Sequence, residues 1–148
     1  MRNALKPLIL ATMALAAISA FAAEGWPTNY AAAVKESKKT GKPILADFTG
    51  SDWCGWCMKL DKEVFSTSEF KAWAKKNVVL LSLDYPQQKK LSAAEKKQND
   101  MLQQKYQIRG FPTILFLDHT GKMLGQYGYD EGGPKAWTAK ASKMIKKA

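Results

Sequence analysis

At 148 residues, 46% hydrophobic and 11% aromatic, the chain is long enough for one domain with a real core and too apolar for a disordered one. Its formal charge of +10 comes without an Arg cluster or a nucleic-acid motif, so the lysine pairs Lys89-Lys90, Lys96-Lys97 and Lys146-Lys147 read as solvated surface, and no nucleic-acid partner is expected. Two cysteines and one histidine cannot supply the four ligands of a structural zinc, so no metal site is expected either.

Arg2 and Lys6 precede an apolar run from Leu8 to Ala20, and Ala20-Phe21-Ala22 has the small-x-small form of a signal-peptidase site. Residues 1–22 are therefore expected to be a cleaved signal peptide and residues 23–148 a single domain. The run is shorter than the ~20 residues needed to span a bilayer, so the mature chain is expected to be extracytoplasmic or periplasmic, not membrane-spanning, and monomeric. Loss of Arg2 and Lys6 takes the charge from +10 to +8.

A first helix is expected from Thr28 to Lys39, capped by Thr28 or Asn29 and stopped by Gly41. Pro43 to Phe48 reads as a central strand covered on both faces, interrupted by Asp47. After a short turn, a helix from about Cys54 is expected to carry Trp56, Cys57, Leu60 and Val64 inward, with Lys59, Asp61, Lys62 and Glu63 outward. A break at Ser66 to Ser68 follows, with Ser68 capping a second helix that buries Phe70, Trp73 and Ala74. Val78 to Leu83 reads as another buried strand.

Ser92-Ala93-Ala94-Glu95 has the form of a capping box for a helix running toward Lys105. Gly110-Phe111-Pro112 punctuates the chain before the strand Thr113 to Leu117. Asp118 to Lys122 turns that strand into Met123 to Tyr127 as a hairpin, which places His119 in a surface turn. Pro134 opens a closing helix bearing Trp137, Ala141, Met144 and Ile145. The order helix, strand, helix, strand, helix, strand, strand, helix predicts an α/β domain, a mixed central sheet with helices on both faces.

The only cysteines, Cys54 and Cys57, stand three apart at a helix start, where free N–H groups and the helix dipole favour a thiolate. A bridge closing so short a loop stabilises by roughly 2 kcal/mol, against about 4.7 kcal/mol for a loop of 100 residues. A pair in an exported chain that is a poor staple points to chemistry. Haem attachment would need histidine after Cys57, where Met58 stands.

With Trp53-Cys54-Gly55-Trp56-Cys57 after a central strand, Phe111-Pro112-Thr113 before a later strand, and a glycine-bearing hairpin ahead of a last helix, the chain from about Trp26 to Ala148 resembles the thioredoxin superfamily. The segment Asp47 to Phe65 is similar to exported thioredoxin-like proteins and to the periplasmic C-terminal domain of the membrane thiol-disulfide reductase. The resemblance implies a thioredoxin-like fold and an exported thiol-disulfide oxidoreductase that reduces or exchanges disulfides in exported client proteins. Its nearest alternatives are an oxidase or isomerase, and a client-binding module without turnover. A membrane electron donor is compatible with this, and no cofactor is implied beyond the Cys54–Cys57 disulfide.

The same resemblance assigns Cys54 as nucleophile and Cys57, expected to be the more buried, as resolving thiol. Asp47 becomes a proton-transfer carboxylate, although the turn carries one extra residue between it and Cys54. Trp53, Gly55, Trp56, Phe111 and a cis Pro112 become client contacts, with Trp53 on an apolar rim and Trp56 left open between rim and core. The lysine that many thioredoxins carry in the neighbouring strand is missing, with Leu80 or Leu81 read in its place.

Overall fold

The computed structural model describes residues 25–146, so the predicted signal peptide at 1–22 lies outside the described residues. Helix α1 (Tyr30–Thr40) is capped by Asn29, whose side chain accepts from Ala32 N, and is ended by Gly41 in the left-handed region at φ 72°. Strand β1 (Ile44–Thr49) is buried along its whole length. Helix α2 (Gly55–Leu60) passes into a single π-helical turn, Asp61–Phe65, and then into α3 (Ser68–Asn77). Strand β2 (Val79–Asp84), helix α4 (Ala93–Lys105), the hairpin β3 (Thr113–Leu117) and β4 (Met123–Tyr127), and α5 (Gly133–Ile145) complete the chain.

The sheet order is β2-β1-β3-β4, with β1 parallel to β2 and antiparallel to β3. The parallel pair needs the long crossover through α2 and α3; the antiparallel hairpin needs only the Asp118–Lys122 turn. Strand alternation then divides the core in two. Ile44, Ala46, Phe48, Leu115 and Leu117 pack on one face beneath α1 and α4. Leu45, Ile114 and Phe116 face the other way, where α2, the π turn, α3 and α5 bring Leu60, Val64, Phe65, Phe70, Trp137 and Ala141. Asp47 is two residues beyond Leu45 and so shares this second face. Trp137 is 1% exposed, lies edge-on to Phe65 and Phe70, and donates its indole N–H to Gly128 O.

The α/β class and the mixed sheet covered on both faces agree with the sequence. Three local expectations do not. Thr67, not Ser68, caps α3, because its hydroxyl accepts from Phe70 N while Ser68 is already the first helical residue. β2 is a sheet edge, so Val79, Leu80 and Ser82 are only half-buried. Trp56 points outward and is 58% exposed, because Cys57 and Leu60 hold the inner face of this six-residue helix.

Candidate active site

Cys54 and Cys57 form a disulfide, with Cα atoms 5.2 Å apart. Cys54 is the N-cap of α2 in extended backbone, and its sulfur accepts the Cys57 N–H at 3.2 Å. Gly55 opens the helix on the exposed side, with room for a side chain. The expected difference in burial is absent: Cys54 is 6% and Cys57 5% exposed. The two cysteines differ instead in what they line.

Cys57 lines a cavity of about 660 Å³ between α2, the π turn, α3 and β2, together with Asp47, Asp61, Lys71 and Ser82; Cys54 does not. Asp47 is 9% exposed, and its Oδ1 has no hydrogen-bond partner among the described residues. Burial pushes its carboxyl from 3.8 up to about 8, with Asp61 and then Asp84 adding like charge. The extra turn residue therefore does not remove Asp47 from the cavity that Cys57 lines. Ser82 is the strand partner of Asp47, and Ser82 and Leu80 both line the same cavity, so a hydroxyl and an apolar side chain face it from β2.

The Phe111–Pro112 peptide is cis. Trp53 joins the cysteine turn to this loop: its ring meets Phe111 edge-on at 5.9 Å, and its indole N–H donates to Tyr85 O at 2.8 Å. Tyr85 in turn stacks on Phe111 at 5.0 Å. Gly50 makes this possible, since a Cβ there would sit 2.5 Å from the Trp53 ring. Trp53 is 40% exposed beside the cysteine turn. Trp56 lies on the other side of the helix start, tilted against Tyr129 at 5.2 Å, with Lys59 Nζ over both rings and Glu63 accepting the Tyr129 hydroxyl.

Sequence reasoning missed Ser51, Asp52, Asp84 and Tyr85. Asp84 accepts Ser51 N at 2.9 Å and the Ser51 hydroxyl at 2.5 Å, while Lys89 pairs with the same carboxylate at 2.7 Å. Asp52 accepts the N–H groups of Gln87, Gln88 and Lys89 at 2.9, 2.8 and 3.0 Å. The Asp84-Tyr85-Pro86 run directly after a strand was the available signal, because an acid at a strand end is placed to take backbone N–H groups from a neighbouring turn.

A buried disulfide at a helix start, a cis-proline loop joined to it through Trp53, and a protonatable carboxyl in the cavity that Cys57 lines define a thiol-disulfide oxidoreductase. The thioredoxin-like domain family matches residues 30–133, and the chain belongs to that family. It is 36% identical over 118 residues to the disulfide bond reductase DsbH of Chlamydia pneumoniae, covering 80% of this chain and 71% of that protein. It is 32% identical over 92 residues to the thiol:disulfide interchange protein DsbD of Actinobacillus pleuropneumoniae, covering 62% of this chain but only 14% of that much longer protein. A solved structure titled DsbH Oxidoreductase superposes with a TM-score of 0.79 at 36% identity, covering 82% of this chain and 84% of that one.

Proposed function

We propose that the protein is an extracytoplasmic disulfide reductase whose dithiol passes two electrons to disulfides in exported client proteins. The observation that carries this reading is the Cys54–Cys57 disulfide at the start of α2, with the Cys57 N–H aimed at the Cys54 sulfur. In the reduced state that N–H stabilises negative charge on Cys54, which makes it the attacking sulfur. Similarity to a protein named disulfide bond reductase favours the reducing direction.

The Cys54 thiolate attacks one sulfur of a client disulfide; the S–S bond breaks, and the other client sulfur leaves as a thiolate that takes up a proton. The ionised form of Asp47, which lines the same cavity, then takes the Cys57 proton, and Cys57 attacks the Cys54 sulfur. The client is released with both sulfurs reduced, and the protein is left as the disulfide. A carboxyl near 8 is matched to this task, because it can exchange a proton with a thiol at neutral pH.

Trp53, Trp56, Gly55 and the Phe111–Pro112 loop receive the client: two exposed indoles give apolar contact, Gly55 adds no side chain beside Cys54, and the loop offers backbone to an extended segment. Oxidised enzyme is returned to the dithiol by a membrane-linked thiol donor. Turnover of a protein disulfide in the presence of a small dithiol tests this reading. Wild type should accelerate client reduction and Cys54→Ser should not; acceleration surviving in Cys54→Ser would contradict it.

A further inference from the structure

The turn that carries the cysteines and the loop after β2 hold each other through two carboxylates. Asp84, from the end of β2, takes the Ser51 N–H and hydroxyl of the cysteine turn. Asp52, from the cysteine turn, takes three successive backbone N–H groups of the partner loop, Gln87 to Lys89. Those bonds, the Gln87 N–H foremost, hold the Asp52 carboxyl below its usual range, so it stays an anion and a strong acceptor. Between the two carboxylates, Tyr85 N donates to Thr49 O, and Tyr85 O accepts the Trp53 indole. The Tyr85 hydroxyl is anchored in turn on Asn99 O. Cys54 follows this turn directly, its N–H bonded to Gly50 O at 2.9 Å.

We infer that Asp52 and Asp84 are positioning residues for the dithiol, fixing the cysteine turn against the Tyr85–Lys89 loop so that Cys54 is held at the start of α2 within reach of Cys57. The inference rests on the thiol-disulfide reading of the site. Neither carboxylate touches the reacting sulfurs in the hydrogen-bond network. Their effect is on effective concentration: a fixed turn keeps the two thiols in bonding geometry, which favours the disulfide over the dithiol. Releasing Asp52 frees the turn and also removes a negative charge from the helix start, where it opposes a thiolate. Both changes favour the reduced form, so both move the equilibrium in one direction.

The reaction that reads this out is protein disulfide plus two glutathione thiols giving protein dithiol plus glutathione disulfide, two electrons passing from glutathione to the protein. Asp52→Ala should lower the constant for disulfide formation about tenfold, which is about 30 mV toward a more oxidising couple. Asp52→Asn, which keeps an acceptor oxygen and loses the charge, should move it less in the same direction. Asp118 supplies the control, since its carboxylate binds Thr120 N, the Thr120 hydroxyl and Lys122 N within the β3–β4 turn, away from the cysteines in the chain. Asp118→Ala costs a comparable set of turn hydrogen bonds and should leave the constant within about twofold of wild type. The inference is overturned if both Asp52 variants also stay within that twofold, or if Asp118→Ala shifts as far as Asp52→Ala. Wild-type protein that does not equilibrate with glutathione at all would instead bring down the thiol-disulfide reading, and the inference with it.

Discussion

Asp47 and Cys57 line one cavity under α2, and Asp47 Oδ1 has no partner among the described residues. A buried acid left in this state is a cost to the fold, and the cost depends on pH. The folded chain holds the Asp47 proton up to about 8, whereas the unfolded chain releases it near 3.8. The folded state therefore has its full advantage below the unfolded value and loses it as pH rises through the folded one.

Replacement Asp47→Asn removes this titration and should stabilise the oxidised protein at neutral pH. Relative to the variant, wild type should lose up to about 1.4 kcal/mol per pH unit between about pH 4 and 8, then level off. Urea unfolding of both proteins across that range checks it. Parallel stability curves would show that Asp47 is ionised in the fold. The same variant should slow release of client from the mixed disulfide, since Cys57 loses its proton acceptor.

Exposure separates the two tryptophans by the measurements each should move. Trp56→Ala removes a largely exposed ring whose neighbours are Tyr129 and Lys59, so stability should change by no more than about 1 kcal/mol. Its KM for a protein client should rise several-fold while its rate toward a small disulfide stays near wild type. An unchanged KM would remove Trp56 from the client surface.

Trp53→Ala, by contrast, breaks the bond to Tyr85 O and the edge contact with Phe111, and should cost about 1–3 kcal/mol as well as client affinity. Thermal unfolding with a steady-state assay distinguishes the two variants.

Gly50 is required by space at its α-carbon. A Cβ would meet Cε2, Nε1 and Cζ2 of Trp53 at 2.5 to 2.8 Å. Gly50→Ala should therefore displace the indole from the Tyr85 carbonyl, shift Trp53 fluorescence and destabilise by about 1–3 kcal/mol. An unshifted spectrum and unchanged stability would mean that the backbone at Gly50 makes room for the methyl without displacing the ring.

Much of this was legible because the local signals are strong. The apolar strand expected from Pro43 to Phe48, the helix cap at Thr28 or Asn29, the Gly41 stop and the Ser92 cap follow from residue type and spacing alone, and the structure keeps them as Ile44–Thr49, Asn29, Gly41 and Ser92. The family resemblance supplied the cis Phe111–Pro112 bond, which no spacing rule predicts. Trp56 was misread as inward because apolar periodicity assigns a bulky ring to the core, whereas a helix start beside a disulfide leaves it outside. The clasp between Asp52 and the Gln87–Lys89 amides was not legible, because its partners are 35 to 37 residues apart and each segment alone looks like a solvated polar loop. Equal burial of the cysteines was hidden for a related reason: exposure at the end of a helix depends on what distant segments pack against it, which helical spacing does not report.

The division of labour between the sulfurs is tested most directly by trapping. Cys57→Ser enzyme, incubated reduced with an exported protein that carries an accessible disulfide, should accumulate a stable mixed disulfide that mass spectrometry maps to Cys54. Cys54→Ser enzyme should form almost none. Adducts of similar yield on Cys57 in Cys54→Ser enzyme, or no adduct in either variant, would contradict a mechanism in which Cys54 attacks and Cys57 resolves.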